Sequence, residues 1–502
     1  LNFDVAKDAT LTVSGRIQAD GKSEEKGQIT KKGDGTLVLT AYNFYDGGTT
    51  ISGGTLRTAD MANLGDGAIS IAPGARLEIT AQSGTGEKTA NITGGGTLDL
   101  AFAQDSSLTV NLGSGFAGGL DISGKGTLKM GSGSSLKENV SVSNGATLAF
   151  DTGTLNANGK TLSVNGGVVD FGATSQTMSS WNLELADGAH LTGAGEKNDA
   201  MDFNVPGSTI SVTSGENTIS ATTRLRATDG NLNLNYNVSK DATLTVSGLI
   251  HADGNTLGRG SITKLGEGTL VLTGANTYAG TTAVEEGALH INGLSALGSS
   301  WVWLAEGAKL RIENTTDPKA LTSDRIGGFG TLELLLNSDY GNTLSLGTSF
   351  EGETYIRGGN MTLNGAQAGK SLRLAGGANL QFNEKETAAW DGNLVLEGKS
   401  EVRANDGSDF TLNGSVSGSG THDSRGAGTV NFKGDVTLAG FEQEIANDSL
   451  VANFNGTTKI GSVKVSKGAV YLNGKTELGT MTISGGTVQI ANEVELNGTV
   501  NT

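Results

Sequence analysis

The chain has 502 residues, with 79 glycines, only 3 prolines, no cysteine and a formal net charge of −17. The lack of cysteine excludes disulfide stapling and is compatible with passage through an oxidising compartment, and the negative charge disfavours nonspecific binding to nucleic acid or to an anionic membrane surface. No apolar run approaches the ~18 residues of a membrane-spanning helix. Because the chain begins at Leu1 rather than at Met, we expect it to be a processed or trimmed segment.

A short unit recurs along the chain. It consists of an apolar–x–apolar pair, two or three turn residues that include Gly, and a second apolar–x–apolar pair. Copies occur at residues 92–100, 142–150, 183–191, 372–382 and 483–490. This alternation indicates strands with one buried face, and Gly at the turn supplies the positive φ of a tight corner. The pattern predicts an all-β chain, in which only 199–201 and 387–390 hint at a helical turn.

A longer repeat is superimposed on the short one. Residues 262–289 repeat 29–56 at an offset of 233 without a gap, and the offset continues both upstream and downstream. We predict a single domain, residues 1–502, that arose by duplication of 1–233 in 234–466 and ends with terminal turns in 467–502.

A parallel β-helix accounts for both repeats, because sandwiches and barrels do not repeat at so short a period. With strands ~4.8 Å apart and roughly 20–25 residues per turn, we predict about 20 turns in a single elongated rod. Apolar side chains would form ladders inside it. Segments 20–26, 193–202, 314–323 and 383–389 are predicted loops, and 415–427 is predicted to be a mobile turn or a thin rung.

Residues 266–284 read Gly-x-Gly-Thr-Leu-x-Leu-x-Gly-x-Asn-Thr-Tyr-x-Gly-x-Thr-x-Val. This segment resembles the passenger-associated transport repeat of bacterial autotransporters, and the first copy departs from it at Ala41 and Phe44. The chain as a whole resembles the passenger domains of type V secreted adhesins of Gram-negative bacteria, especially the diffuse-adherence and self-associating, UpaB-like adhesins. The resemblance implies a right-handed three-stranded parallel β-helix. It also implies export through the periplasm and display at the bacterial cell surface by an outer-membrane barrel, which we expect to lie outside this chain.

Catalytic patterns are nearly absent from the sequence. His422-Asp423-Ser424 combines the residue types of a catalytic triad, but adjacency in sequence is not triad geometry. Acidic residues are scattered rather than clustered for Ca²⁺, and no Gly-x-Gly segment opens a helix as phosphate binding requires. We therefore predict no enzyme activity, no cofactor and no metal site.

Candidate ligand-binding residues are aromatic, cationic or amidic. Alternation turns Trp301 and Trp303 outward, where two indoles could stack on a sugar or anchor a protein, unless loop 314–323 covers them; the same parity turns Trp181 inward. The cationic candidates are Arg224, Arg226, Lys459, Lys464 and Lys467. Their positive charges would suit a sulfated glycan, or they are simply solvated. The polar candidates are Asn111, Asp121, Asn144 and Asn165. They form either a stripe suited to carbohydrate or a pattern that arises because Asn favours corners.

These features predict a non-enzymatic adhesin that binds host extracellular matrix, either a glycosaminoglycan or other glycan or a matrix protein such as fibronectin. Many weak contacts along a rigid face would add through multivalency. The alternative is self-association between passenger domains on neighbouring cells, which would drive aggregation and biofilm formation.

Overall fold

A computed structural model describes residues 1–19, 26–83, 86–150, 153–156, 159–178, 181–194, 200–226, 232–252, 260–314, 321–323, 325–336, 341–346, 349–363, 370–382, 385–443 and 448–502. The chain divides into two compact units, Leu1–Gly280 (the first unit) and Thr281–Thr502 (the second unit). No helix among the described residues has the length and hydrophobicity needed to cross a membrane.

The first unit consists of short strands and one 3₁₀ turn, Met61–Asn63. Its strands are Asn2–Asp4, Thr10–Val13, Ile29–Lys32, Thr36–Leu39, Thr49–Ile51, Thr55–Thr58, Ile69–Ile71, Arg76–Gln82, Gly86–Gly94, Thr97–Phe116, Leu120–Met130, Ser135–Leu136, Val140–Ser143, Thr147–Phe150, Thr154–Leu155, Lys160–Asn165, Val168–Asp170, Gln176–Thr177, Trp181–Ala186, His190–Thr192, Met201–Phe203, Ser208–Ser214, Glu216–Ile219, Thr223–Leu225, Asn233–Val238, Thr243–Val246, Ile250–Ala252, Ser261–Leu265 and Thr269–Leu272.

The second unit has the same organisation, with a 3₁₀ turn at Leu294–Leu297. Its strands are Thr281–Val284, Ala288–Ile291, Trp301–Leu304, Lys309–Asn314, Leu321–Ser323, Ile326–Gly328, Thr331–Leu336, Gly341–Leu346, Glu353–Arg357, Asn360–Leu363, Ser371–Ala375, Asn379–Phe382, Thr387–Trp390, Asn393–Glu397, Lys399–Ala404, Asp409–Leu412, Val416–Gly426, Thr429–Phe432, Val436–Gln443, Val451–Phe454, Thr458–Val465, Ala469–Leu472, Thr476–Ile483, Thr487–Ile490, Val494–Leu496 and Val500–Asn501.

Strands pair in parallel with strands about one turn away along the chain, so equivalent side chains stack. One ladder in the first unit runs through Leu77, Leu98, Leu120, Val140 and Leu162, all of them buried. A second joins Leu108, Leu128, Leu148, Val169 and Leu191, and a third joins Met201, Thr223 and Ile250. Each unit is therefore a parallel β-solenoid, as predicted. Its right-handedness, the single rod and the division at 233 stay predictions.

Two buried lysines occupy equivalent places in the two long repeats, and the sequence did not indicate their burial. Lys31 is 0% and Lys264 1% exposed. The Nζ of Lys31 donates to the carbonyl oxygens of Lys32 and Gly33, both at 2.8 Å, and the Nζ of Lys264 donates to those of Leu265 and Gly266 at 2.9 and 2.6 Å. Burial lowers the pKa of Lys31, while Asp4 and Asp34 oppose that shift. Each ammonium thus finds its hydrogen-bond acceptors among the backbone carbonyls of a corner, which compensates for its burial.

The structure decides two local predictions. Of the two alternatives for 415–427, the mobile turn is wrong, because Val416–Gly426 is a strand whose His422 and Ser424 are buried. The segment 387–390 is not helical either, since Thr387–Trp390 is a strand that buries Trp390 completely. In both cases pairing with neighbouring turns overrides a weak local pattern. The predicted loops 20–26, 193–202, 314–323 and 383–389 lie in part outside the described residues.

Candidate aromatic binding surface

Two indoles are exposed on the strand Trp301–Leu304. Trp301 is 42% and Trp303 38% exposed, whereas Val302 and Leu304 between and beyond them are buried. The predicted outward orientation of both indoles is therefore confirmed, as is the inward orientation of Trp181, which is 4% exposed. Most of the loop 314–323 that was expected to cover them lies outside the described residues.

A third ring from the next turn joins the indoles. Phe329 is 53% exposed and contacts Trp303 edge to face, with ring centroids 5.9 Å apart and planes at 85°. Gly327 makes room for the Trp301 indole, because a Cβ on Gly327 would lie only 2.8 Å from Cζ3 of Trp301. We call Trp301, Trp303 and Phe329 the aromatic patch. The sequence did not identify Phe329 as a binding residue, because it stands at a Gly-Phe-Gly corner outside any alternating pattern.

The aromatic patch continues into a cleft of about 460 Å³, lined by Glu306, Phe329, Glu351 and Lys370. Successive corners of the solenoid build its wall: the amide of Phe329 donates to the Leu304 carbonyl at 2.8 Å, and that of Glu351 to the Gly328 carbonyl at 2.9 Å. The volume falls within the ~300–1,000 Å³ of small-ligand sites. Within the described part of the chain, the charged groups of Glu306, Glu351 and Lys370 have no ion-pair or hydrogen-bond partner.

The predicted cationic spot at Arg224 and Arg226 is built around a buried carboxylate. Asp202, 3% exposed, accepts hydrogen bonds from Nη2 and Nε of Arg226, the latter at 3.3 Å, and its Oδ1 lies 3.6 Å from Nε of Arg224. Leu225 between the two arginines is buried, as predicted. The positive charge at this point is therefore partly neutralised from within the chain.

This arrangement makes Asp202 important for local stability. We expect Asp202→Ala to destabilise the turns around Met201–Phe203 by about 3 kcal/mol, because it leaves two partly buried guanidinium groups without their carboxylate. Amide hydrogen exchange at Met201–Phe203 and Thr223–Leu225 measures the effect. Asp66→Ala, at an exposed aspartate of the same unit, is the control and should change exchange little. Equal protection in both variants would contradict the expected role.

The predicted basic C-terminal turns are also largely compensated. The Nζ of Lys459 lies 3.0 Å from Oε1 of Glu477, and the Nζ of Lys464 lies 3.6 Å from Oε1 of Glu442. Lys467 is exposed. Lys459 and Lys464 lie on one strand, Thr458–Val465, and contact different glutamates. Each of these two positive charges is therefore compensated within the chain.

The four predicted polar residues do not form one line. Asn144 and Asn165 are exposed neighbours at one corner, where the Asn144 amide donates to the Asn165 carbonyl at 3.1 Å. Asn111 pairs in register with Asn91, whereas Asp121 pairs with Asp99 in a different stack of strands. The pKa of Asp121 is raised by burial and by Asp99, against the opposing effect of Arg76, whose Nη2 lies 3.5 Å from it.

A more regular polar ladder lies in the second unit and was missed. The Asn431 amide donates to Asp409 at 2.5 Å, and the Asn453 amide donates to Asn431 at 2.8 Å. We call Asp409, Asn431 and Asn453 the amide ladder. A spacing of 22 residues between its members, equal to one turn, is the sequence signal that could have identified it.

The residues of the His-Asp-Ser sequence do not form a triad. His422 and Ser424 point inward and share a hydrogen bond between Nε2 and Oγ at 2.9 Å, whereas Asp423 pairs with Arg425 at 3.0 Å and with Lys399 at 3.5 Å. Burial lowers the pKa of His422 to about 3. Among the described residues, no cluster of His, Asp or Glu has the arrangement of a metal site.

The comparisons with known proteins agree with the fold. Residues 29–57 and 262–291 match the passenger-associated transport repeat family, so both long repeats of the chain contain this transport repeat. It is 31% identical, over 282 residues and 55% of its length, to the adhesin BmaC autotransporter of Brucella suis biovar 1 (strain 1330). The matched part is 7% of that relative. No solved structure matches the chain. The resemblance to autotransporter passenger adhesins is confirmed, and the UpaB-like subtype stays a prediction.

Proposed function

We propose that this chain is part of a non-enzymatic adhesin, displayed at the surface of a Gram-negative bacterium by way of its outer membrane, that binds host extracellular matrix. The observation that carries the proposal is the aromatic patch. Its three rings are 38–53% exposed, and one of them, Phe329, lines a cleft of about 460 Å³. Clustered exposed aromatic side chains mark binding surfaces. The similarity to a protein named as an adhesin autotransporter supports surface display and adhesion.

The ligand is a matrix glycan or a matrix protein such as fibronectin. The charge pairing around the cationic candidates favours contacts that do not depend on sulfate groups, because Asp202 compensates Arg224 and Arg226 and glutamates compensate Lys459 and Lys464. Repetition of the protein on the cell surface would let individually weak contacts add.

Retention of the purified chain on immobilised fibronectin, heparin and a mixed extracellular-matrix extract tests this function. We expect retention on at least one surface, and loss of most of it in Trp303→Ala, since central aromatic anchors carry much of the energy of an interface. Phe44→Ala removes an aromatic side chain of similar exposure, 51%, in the first unit and serves as the matched control. Failure to bind any of the three surfaces would refute matrix adhesion. New reducing or unsaturated ends in the bound glycan would refute the non-enzymatic assignment.

Self-association is the second candidate, and the amide ladder favours it. Its side chains retain hydrogen-bonding capacity beyond the contacts at 2.5 and 2.8 Å within the chain, so a second copy could pair with them. Clumping of expressing cells without host material, abolished by Asn431→Ala together with Asn453→Ala, would support it. Clumping that persists in the double variant would exclude the ladder as the contact surface.

A further inference from the structure

The geometry points to an uncharged glycan as the ligand of the aromatic patch and its cleft, and we propose this site as a pyranose-binding subsite. The inference rests on the proposed adhesin function and names the ligand class for it. Three observations carry it: the rings, the polar groups of the cleft beside Phe329 and the sign of the local charge.

The rings provide flat apolar platforms of the size of a sugar ring. Trp301 and Trp303 stand two residues apart on one strand, so their side chains leave the same face about 7 Å apart along the strand. Phe329 lies at 85° to Trp303, and Trp301 and Trp303 remain 42% and 38% exposed, so part of each indole can contact the apolar C–H face of a pyranose. Rigid aromatic side chains offer this area at a low cost in conformational entropy.

The cleft adds hydrogen-bonding groups beyond the platforms. Glu306 and Glu351 offer carboxylate oxygens, and Lys370 offers an ammonium group. None of the three is engaged with another side chain in the described part of the chain. Acceptors and donors that converge beside an apolar platform match the alternating hydroxyl groups and C–H faces of a sugar.

The local charge selects between glycan classes. Among the described residues that line the cleft, two carboxylates and one ammonium group leave one net negative charge, and the whole chain carries −17. The nearby Arg325 is directed away, onto the carbonyls of Gly298 and Ser300 at 3.2 and 3.4 Å. A sulfated or uronate-rich chain would be repelled at this point, whereas a neutral or N-acetylated one would not. A protein epitope would need a wider contact area than one small cleft offers.

The test measures direct binding of the whole chain to an array of neutral, sialylated and sulfated oligosaccharides. The neutral hexasaccharide that binds most strongly is then added stepwise to the chain in solution while tryptophan fluorescence is recorded. We expect a neutral glycan to bind and to change the emission of the exposed indoles. Its affinity should vary less than about twofold between about 50 and 500 mM salt. Trp303→Ala should weaken binding about tenfold or more, and Glu351→Gln should weaken it while circular dichroism stays unchanged. Phe44→Ala is the matched aromatic control and should bind as the parent chain does.

The outcomes separate this inference from the adhesin function. If no neutral glycan on the array binds, or if Trp303→Ala binds one as tightly as the parent chain, the inference is wrong, even when fibronectin or heparin still retains the chain. Preferential binding of sulfated chains with steep salt dependence also overturns it. If the chain binds none of the matrix surfaces but clearly binds a neutral glycan, the proposed binding to host matrix is wrong, whereas the proposed pyranose-binding subsite stands.

Discussion

Lowering the pH from about 6.5 to about 5 should destabilise the second unit around His422 by about 1.5 kcal/mol, and the loss should reach about 4 kcal/mol near pH 3. His422 is completely buried, and burial lowers its pKa from 6.5 to about 3. In the unfolded chain the imidazole takes up a proton near pH 6.5, whereas in the folded chain it resists protonation until about pH 3. The unfolded state therefore binds more protons throughout this window, so stability falls as the pH falls.

The surroundings of His422 explain why its charged form is disfavoured. Its ring lies nearly parallel to Phe441, with centroids 5.6 Å apart, and edge-on to Phe432 at 5.3 Å. Ser424 is its neutral hydrogen-bond partner. Asp423, the carboxylate closest in sequence, is turned to Arg425 and Lys399, so it does not stabilise an imidazolium.

Amide hydrogen exchange at Val416–Gly426, measured across this pH range and corrected for intrinsic exchange rates, gives the local stability. His422→Phe keeps an aromatic ring that cannot be protonated, and its local stability should be nearly constant between pH 6.5 and 5. Glu442 interferes little in this window, because its hydrogen bond with Lys399 lowers the pKa of Glu442 below its usual value, so that its contribution is lost only at lower pH. An equal loss in His422→Phe would assign the acid sensitivity to other groups.

Alternation predicted the strands and much of what they present to solvent. It placed Val302 and Leu304 inside and Trp301 and Trp303 outside because successive side chains of a strand point to opposite faces. It failed around His422, where several small and polar residues in succession obscure the pattern, and pairing with the adjacent turns determines which side chains are buried.

The binding surface was harder to predict than the strands, because its members come from different turns. Phe329 reaches Trp303 only because one corner stacks beside the next strand, and the sequence does not give that register. The same limit applies to Asp202 and Arg226, which are 24 residues apart and hydrogen-bonded. Asn111 and Asp121 looked like members of one stripe, but they belong to different stacks.

Phe441→Ala should destabilise the second unit locally by about 3–5 kcal/mol, the usual cost of emptying the space of a buried Phe. Phe441 is 0% exposed and packs edge to face on Phe454, with centroids 5.1 Å apart, as well as on His422. Each turn of a solenoid packs mainly on its neighbours, so the loss should appear first in hydrogen exchange of Val436–Gln443 and the turns on either side. Phe329→Ala removes the same side chain from an exposed position and should cost less than about 0.5 kcal/mol.

Phe441→Ala also tests why the second unit is sensitive to acid around His422. A cavity beside His422 that admits water would reduce the penalty for its charged form, so the pKa of His422 should rise from about 3 towards 6.5. Titration of the imidazole resonances by NMR in the parent chain and in Phe441→Ala measures this change. The drop in stability between pH 6.5 and 5 should then be smaller in Phe441→Ala than in the parent chain, although the variant is less stable at every pH. A pKa that stays near 3 would mean that Phe441 does not shield His422, and that the shift arises from the other walls of the core.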